Sequence, residues 1–259
     1  MRGERFSGRH AVAPWALLAM SVILAGCQKQ GDPAQLDQFL ARAQKLPAPQ
    51  REALLRQTIG GGGRQAVFAH YALGNQFYDA ANDSSAAGAT GGAAALLDSA
   101  RWHFEQAVLD TTFVEAQVNL GSVWDDMADL GGAQAERQTR LEKAESAYRR
   151  ALALRPADEK ARCNLGALYV KKRQYPEAIT QFRQALVDHP RSALAHYNLA
   201  ILFAETKIYR EAMAEWSAAA KADPKGDIGR RSLANVKIVE QMMSAQEPGA
   251  QGQPAPARP

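Results

Sequence analysis

Residues 159–192 read EKARCNLGALYVKKRQYPEAITQFRQALVDHPRS, and residues 193–226 read ALAHYNLAILFAETKIYREAMAEWSAAAKADPKG. Laid one under the other, the stretches match at full length without a gap, 34 residues apart. Leu165-Gly166 stands over Leu199-Ala200, Tyr169 over Phe203, Ala178 over Ala212, Phe182 over Trp216, Ala185 over Ala219 and Pro190 over Pro224. Small and apolar positions recur three and four apart, the period of one helix face. Each stretch therefore predicts two antiparallel helices. Gly or Ala sits where the backbones come closest, and an aromatic fills the space beside it. Proline ends the second helix, because it cannot continue the i→i−4 ladder.

The pattern extends upstream with insertions. Ala100 and Ala144 precede Phe104 and Tyr148 by four, and Ala107 and Ala151 follow them by three. Both alanine columns run at spacings of 44, 34 and 34. Leu73-Gly74 and Leu120-Gly121 open the earlier units, with Phe77 and Trp124 four after each Leu, and the prolines run Pro156, Pro190, Pro224. The first unit ends at Thr112, where Pro is expected. This resembles the tetratricopeptide repeat, L-G-x2-Y, then A-x3-F, then P, over about 34 residues. The resemblance implies an all-α fold, a tetratricopeptide-type α-solenoid of four helix-pair units at 67–113, 114–158, 159–192 and 193–226, within a 64–226 array. No unit buries its apolar face alone, so each leans on its neighbours.

Composition agrees. The chain has 259 residues, 46% hydrophobic, 22% charged and only 7% aromatic, with alanine throughout. That is too apolar for a disordered chain and favours close-packed helices over a β-sandwich.

At the N-terminus Arg2, Arg5 and Arg9 lead into AVAPWALLAMSVILAG, uncharged from Ala11 to Gly26. Sixteen residues make roughly 24 Å of helix, short of a ~30 Å hydrocarbon core. Residues 1–26 thus read as an export signal. Leu24-Ala25-Gly26-Cys27 resembles the bacterial lipobox. That resemblance implies acylation of Cys27, cleavage before it, and a lipidated tether over 27–32. Gln28, in place of an Asp, implies sorting to the outer membrane with the body facing the periplasm; the alternative is the outer leaflet of the inner membrane. One acyl chain holds a protein marginally, and two or more hold it stably. Removing Arg2, Glu4, Arg5 and Arg9 takes two charges from the formal +4, and no basic stripe remains to suggest nucleic acid. The one remaining thiol, Cys163, cannot form an internal disulfide. It falls at the fifth repeat position, where a small filler is the simplest role.

Residues 33–63 read as two helices and a Gly-rich hinge. Asp32-Pro33 is an N-cap with Pro at N1, followed by Leu36, Phe39, Leu40 and Ala43 at helical spacing. A second helix is expected from about Pro49 to Thr58, stopped by Gly60–Gly63. Fourteen and eleven residues are added between the helices of the first and second units. The first insertion, Ala80–Gly92, reads as a mobile loop. The second extends a helix by about three turns, in phase. Leu233-Ala234 continues the register into a capping helix over 227–244, with Lys237 in the aromatic column facing water. Residues 245–259 read as a disordered tail.

The chain has no G-x-S-x-G, H-E-x-x-H, P-loop or paired C-x-x-C. No catalytic residue, metal site or cofactor is expected. Asp125-Asp126 diverge by ~100° and read as a solvated helix end. His70 and His196 share the fourth repeat position, where helix packing is expected. The family resemblance implies peptide binding on the concave face of the first helices. The positions that carry it over are Phe68, Tyr71, Asn75, Tyr78, Glu115, Asn119, Ser122, Asp125, Lys160, Asn164, Lys171, Tyr197, Asn198 and Ile201. One subfamily clamps a terminal carboxylate. Asn75, Asn119 and Lys160 match it, but Tyr71 and Asn164 replace two of its cations. The expected function is a non-catalytic, membrane-anchored adaptor for a protein or peptide partner in the cell envelope, similar to lipoproteins that assist pilus secretins or dock wall hydrolases. The alternatives are a permanent structural subunit of a secretin, pilus or wall-synthesis machine, and an enzyme with an unrecognised site.

Overall fold

The computed structural model describes residues 33–246; the leader, Cys27, the tether and the stretch from Glu247 lie outside the described residues. Those described form eleven helices and no strand. They are α1 (Pro33–Gln44), α2 (Ala48–Gly61), α3 (Gly63–Ala86), α4 (Thr90–Ala107), α5 (Val114–Asp129), α6 (Gln134–Leu154), α7 (Glu159–Lys171), α8 (Tyr175–Asp188), α9 (Ala193–Glu205), α10 (Tyr209–Ala222) and α11 (Asp227–Gln246). The pairs α3–α4, α5–α6, α7–α8 and α9–α10 are the four units, and each first helix also touches the next first helix.

The repeat columns explain the packing. All eight column alanines, Ala100, Ala107, Ala144, Ala151, Ala178, Ala185, Ala212 and Ala219, are fully buried at 0% exposure. A Cβ added to Gly74, Gly121 or Gly166 would stand 2.6, 2.5 and 2.5 Å from the ring of Phe104, Tyr148 and Phe182 respectively. The glycines are therefore the space those rings occupy. Asp158 and Ser192, 34 apart, cap α7 and α9 by accepting from Ala161 N and Ala195 N, each at 2.9 Å. Pro156, Pro190 and Pro224 fall two residues beyond α6, α8 and α10. The first unit lacks the proline; there Asp110 Oδ1 accepts from Thr112 N at 3.0 Å and organises the exit turn.

The turns inside the two ungapped units place Arg173 and Lys207 in the left-handed region, at φ 58° and 62°. Gln174 N then donates to Tyr169 O at 2.8 Å and Ile208 N to Phe203 O at 2.7 Å, closing each first helix. The first unit uses Gly88, φ 77°, at the same place. Arg173→Gly is accordingly expected to raise stability by about 0.5–1 kcal/mol, read from urea unfolding.

Both insertions are helical, which corrects the loop expected at Ala80–Gly92. Measured against α7 and α8, α3 gains seven residues at its end and α4 seven at its start, with the linking turn unchanged at three. Both helices lengthen equally, so the hairpin keeps its register, and Ala81 and Ala93 bury at 1% and 0% in the new overlap. Alanine's helix propensity outweighs the glycines and serines in this stretch. In the second unit three residues extend α5, seven extend α6 and one lengthens the turn. Arg140 from the added part of α6 donates to Met127 O at 2.6 Å and Gly131 O at 3.3 Å, carbonyls left open where α5 ends. Arg140→Ala is expected to cost about 1.5 kcal/mol and to speed amide exchange around the turn.

The ends differ from the expected hinge and cap. The break at Gly60–Gly63 is a single residue, because α2 runs through Gly61 and α3 starts at Gly63. The φ of 68° at Gly62 turns the chain there. α2 lies along α3 as α4 lies along α5, and α1 covers the array's first edge. The capping helix runs two residues past the expected 244. Its buried side is Gly229, Ser232 and Val239, while Leu233 is 53% exposed.

Candidate functional site

The inner wall is the row of first helices α3, α5, α7 and α9. Phe68 is not on it: it is 3% exposed among Leu36, Phe39 and Phe113, closed over by α1. Tyr71 packs on the Phe113 ring at 4.8 Å. Much of the remaining set is engaged across the joints between units.

At the α3–α5 joint, Asn119 Nδ2 donates to Asn75 Oδ1 at 2.7 Å and to the Tyr71 hydroxyl at 3.4 Å. Farther along, the Tyr78 hydroxyl donates to Asp126 Oδ2 at 2.6 Å. At the α5–α7 joint, Ser122 Oγ accepts from Asn164 Nδ2 at 3.2 Å and from the Tyr148 hydroxyl at 3.3 Å. Lys171 Nζ donates to Asp125 and Asp129 at 2.8 and 2.7 Å. Its neighbour Lys172 reaches Glu145 on α6 at 2.5 Å, so two consecutive lysines hold both helices of the second unit. Glu115 pairs with Arg155 at 2.8 Å.

Asp125-Asp126 is thus not a solvated helix end. Desolvation raises both carboxyls above their ordinary value, more than Lys171 lowers Asp125 and more than the Tyr78 hydrogen bond lowers Asp126. Burial alone would lower the Lys171 ammonium, yet Asp125 and Asp129 outweigh it and hold it up. The Tyr78 hydroxyl is raised by burial and then by Asp126, so it stays a donor.

Four candidates stand outside these joints. Lys160 is exposed and Asn198 half-buried, and neither is tied to another residue in the wall. Tyr197 and Ile201 are half-buried beside Ala200 and Val239, toward α11. Cys163 is fully buried between Ala185 and Ala195, and burial pushes its thiol up to about 12, which makes it inert filler. Among the described residues no three or more His, Cys, Asp or Glu gather as metal ligands.

A carry-over of groove positions, taken one unit at a time, misses that these residues are one another's partners. The signal lies in the columns. First helices lie side by side with an offset, so the residue two after the Leu of one unit faces the residue one before the Leu of the next: Asn75 meets Asn119, and Ser122 meets Asn164.

Residues 163–227, spanning the third and fourth units, match the tetratricopeptide repeat family model. Over these two units the chain is similar to the tetratricopeptide repeat family, and the described residues have the fold of a tetratricopeptide-type α-solenoid. Its array is similar to a thermophilic TPR protein of Thermus thermophilus, with 16% identity over 63% of this chain and 99% of that one, TM-score 0.46. MamA 41-end from Desulfovibrio magneticus RS-1 gives 15% identity over 68% and 97%, TM-score 0.41. The Sgt2 TPR domain from Aspergillus fumigatus gives 21% over 53% and 90%, TM-score 0.38. No curated protein matches the chain. Tetratricopeptide repeats typically serve as scaffolds for protein–protein interaction and are generally non-catalytic.

Proposed function

We propose that this tetratricopeptide array is a non-catalytic adaptor, anchored to the outer membrane through acyl chains on Cys27, that holds a protein or peptide partner in the periplasm. The leader, Leu24-Ala25-Gly26-Cys27 and Gln28 support the anchoring and sorting. The observation that carries the binding reading is the division of the inner wall. Its first half is satisfied internally, while Lys160, Asn198, Tyr197 and Ile201 on α7 and α9 stay untied by hydrogen bonds or ion pairs among the described residues. Capture is therefore expected on the second half of the wall.

The test is crosslinking and affinity purification from membranes, comparing wild type with Cys27→Ala. The anchored reading expects acyl mass on Cys27 and loss of membrane association in the variant. An unacylated wild type that stays soluble overturns it. Lys160→Glu is expected to weaken capture at unchanged melting temperature, because Lys160 is exposed and unpaired. Undiminished capture would remove this half of the wall from the reading. Lys171 does not belong in that variant, being bound to two carboxylates.

A further inference from the structure

His70 on α3 and His103 on α4 face each other across the first unit, Nδ1 to Nδ1 at 3.0 Å, away from the joints of the inner wall. The matching positions of the fourth unit hold His196 and Glu215, which meet at 2.6 Å. This column fastens first helix to second helix, and in the first unit both of its places are imidazoles. Phe77 stacks on His103 with ring centroids 5.5 Å apart. Trp102 stands edge-on to His70 at 5.4 Å and to His103 at 4.8 Å, and is itself 49% exposed, so the cluster reaches solvent.

Two neutral imidazoles at this separation share one hydrogen bond only while one of them carries its proton on Nδ1. Moving that proton to Nε2 leaves two Nδ1 lone pairs facing one another, with no net gain or loss of protons. At metal–nitrogen bonds of about 2.0–2.1 Å, nitrogens 3.0 Å apart subtend roughly a right angle at a shared metal. That is the cis angle of the tetragonal sites that suit Cu(II) and Ni(II), and narrower than zinc's tetrahedron.

We propose that His70 and His103 form a two-point site for a divalent transition metal, with copper(II) preferred and solvent completing the coordination. No third His, Cys, Asp or Glu joins them among the described residues, so the protein supplies two ligands. Burial lowers both imidazoles below their ordinary value, so protons do not compete for the nitrogens at neutral pH. After burial, His70 and then Arg56 lower His103 further, and Arg56 is itself paired with Glu52 at 2.7 Å.

The experiment titrates the full-length chain in detergent with Cu(II), following bound metal and tryptophan fluorescence. Binding saturates at one equivalent and quenches Trp102, and Zn(II) competes weakly. His70→Ala and His103→Ala each weaken binding by at least the ~10–100-fold that loss of an outer-shell partner costs. Trp102→Phe keeps the equivalent and loses most of the quenching. His103→Gln, which keeps a hydrogen-bonding group against His70 and is checked by circular dichroism, guards against a loosened hairpin. It is expected to stay folded and lose the metal. Binding that persists undiminished in His103→Gln, or a wild type indistinguishable from the double His70→Ala/His103→Ala variant, overturns the proposal.

Discussion

Gly166→Val is expected to lower the unfolding free energy by about 3 kcal/mol, the largest effect of any single substitution in the glycine column. The Cβ alone would stand 2.5, 2.8 and 2.9 Å from Cε1, Cδ1 and Cζ of Phe182. Phe182 is fully buried and cannot swing into solvent. It is boxed in by Ala178, Leu165 and Leu168. Replacing a helical glycine ordinarily gains up to ~1 kcal/mol through propensity, but overpacking a rigid ring costs more, so the sign is set by the clash. The consequence spreads, because α7 touches α5, α6, α8 and α9. In a one-dimensional array a weakened unit removes the support of its neighbours as well. Urea unfolding reads the effect directly. An unchanged midpoint would mean that α7 and α8 do not approach as described.

Gly60 is the internal control. It lies within α2 with nothing within 4 Å of an added Cβ. Gly60→Ala therefore meets no clash and should gain about 0.5–1 kcal/mol in the same assay. The fourth unit shows how the crowding can be relieved. Ala200 replaces glycine there and is fully buried against Trp216, itself 4% exposed.

These residues also mark what is legible in the sequence. The helix pairs, their 34-residue register and the eight buried alanines follow from spacing, because close helix approach tolerates few side chains and so repeats visibly. The insertion at Ala80–Gly92 defeats a reading by composition, which suits a loop or a helix equally. Only the equal lengthening of its partner, α4, decides between them, and that is a tertiary fact. Spacing puts the inner-wall candidates on the correct helices but does not pair them. Tyr78 with Asp126 and Lys171 with Asp125 lie 48 and 46 residues apart, a distance no local window spans. Phe68 falls outside the wall because α1, whose register against the first unit cannot be read from spacing, lies over it.

Lys171→Glu is the second large effect, and its pH dependence separates charge from packing. The variant puts a fourth carboxylate beside Asp125, Asp126 and Asp129 in place of the ammonium that now lies 2.8 and 2.7 Å from Asp125 and Asp129. Breaking a buried pair costs about 3–5 kcal/mol, and the lower end applies here because Asp129 is half exposed. Asp125 and Asp126 already have folded-state pKa values above the ordinary one, chiefly through desolvation. The folded protein thus binds these protons more tightly than the unfolded chain. Their stabilising contribution is complete below the unfolded carboxylate pKa and is lost as pH rises through the folded one. Replacing the cation by an anion pushes the folded values higher and widens that window. The melting-temperature deficit of Lys171→Glu is accordingly expected to be greatest at neutral pH and to shrink toward about pH 4.5, as the cluster takes up protons. Lys171→Met, which removes the cation without adding an anion, should show a smaller deficit with the same trend. A deficit equal at both pH values would assign the role of Lys171 to the packing of its stem rather than to its charge.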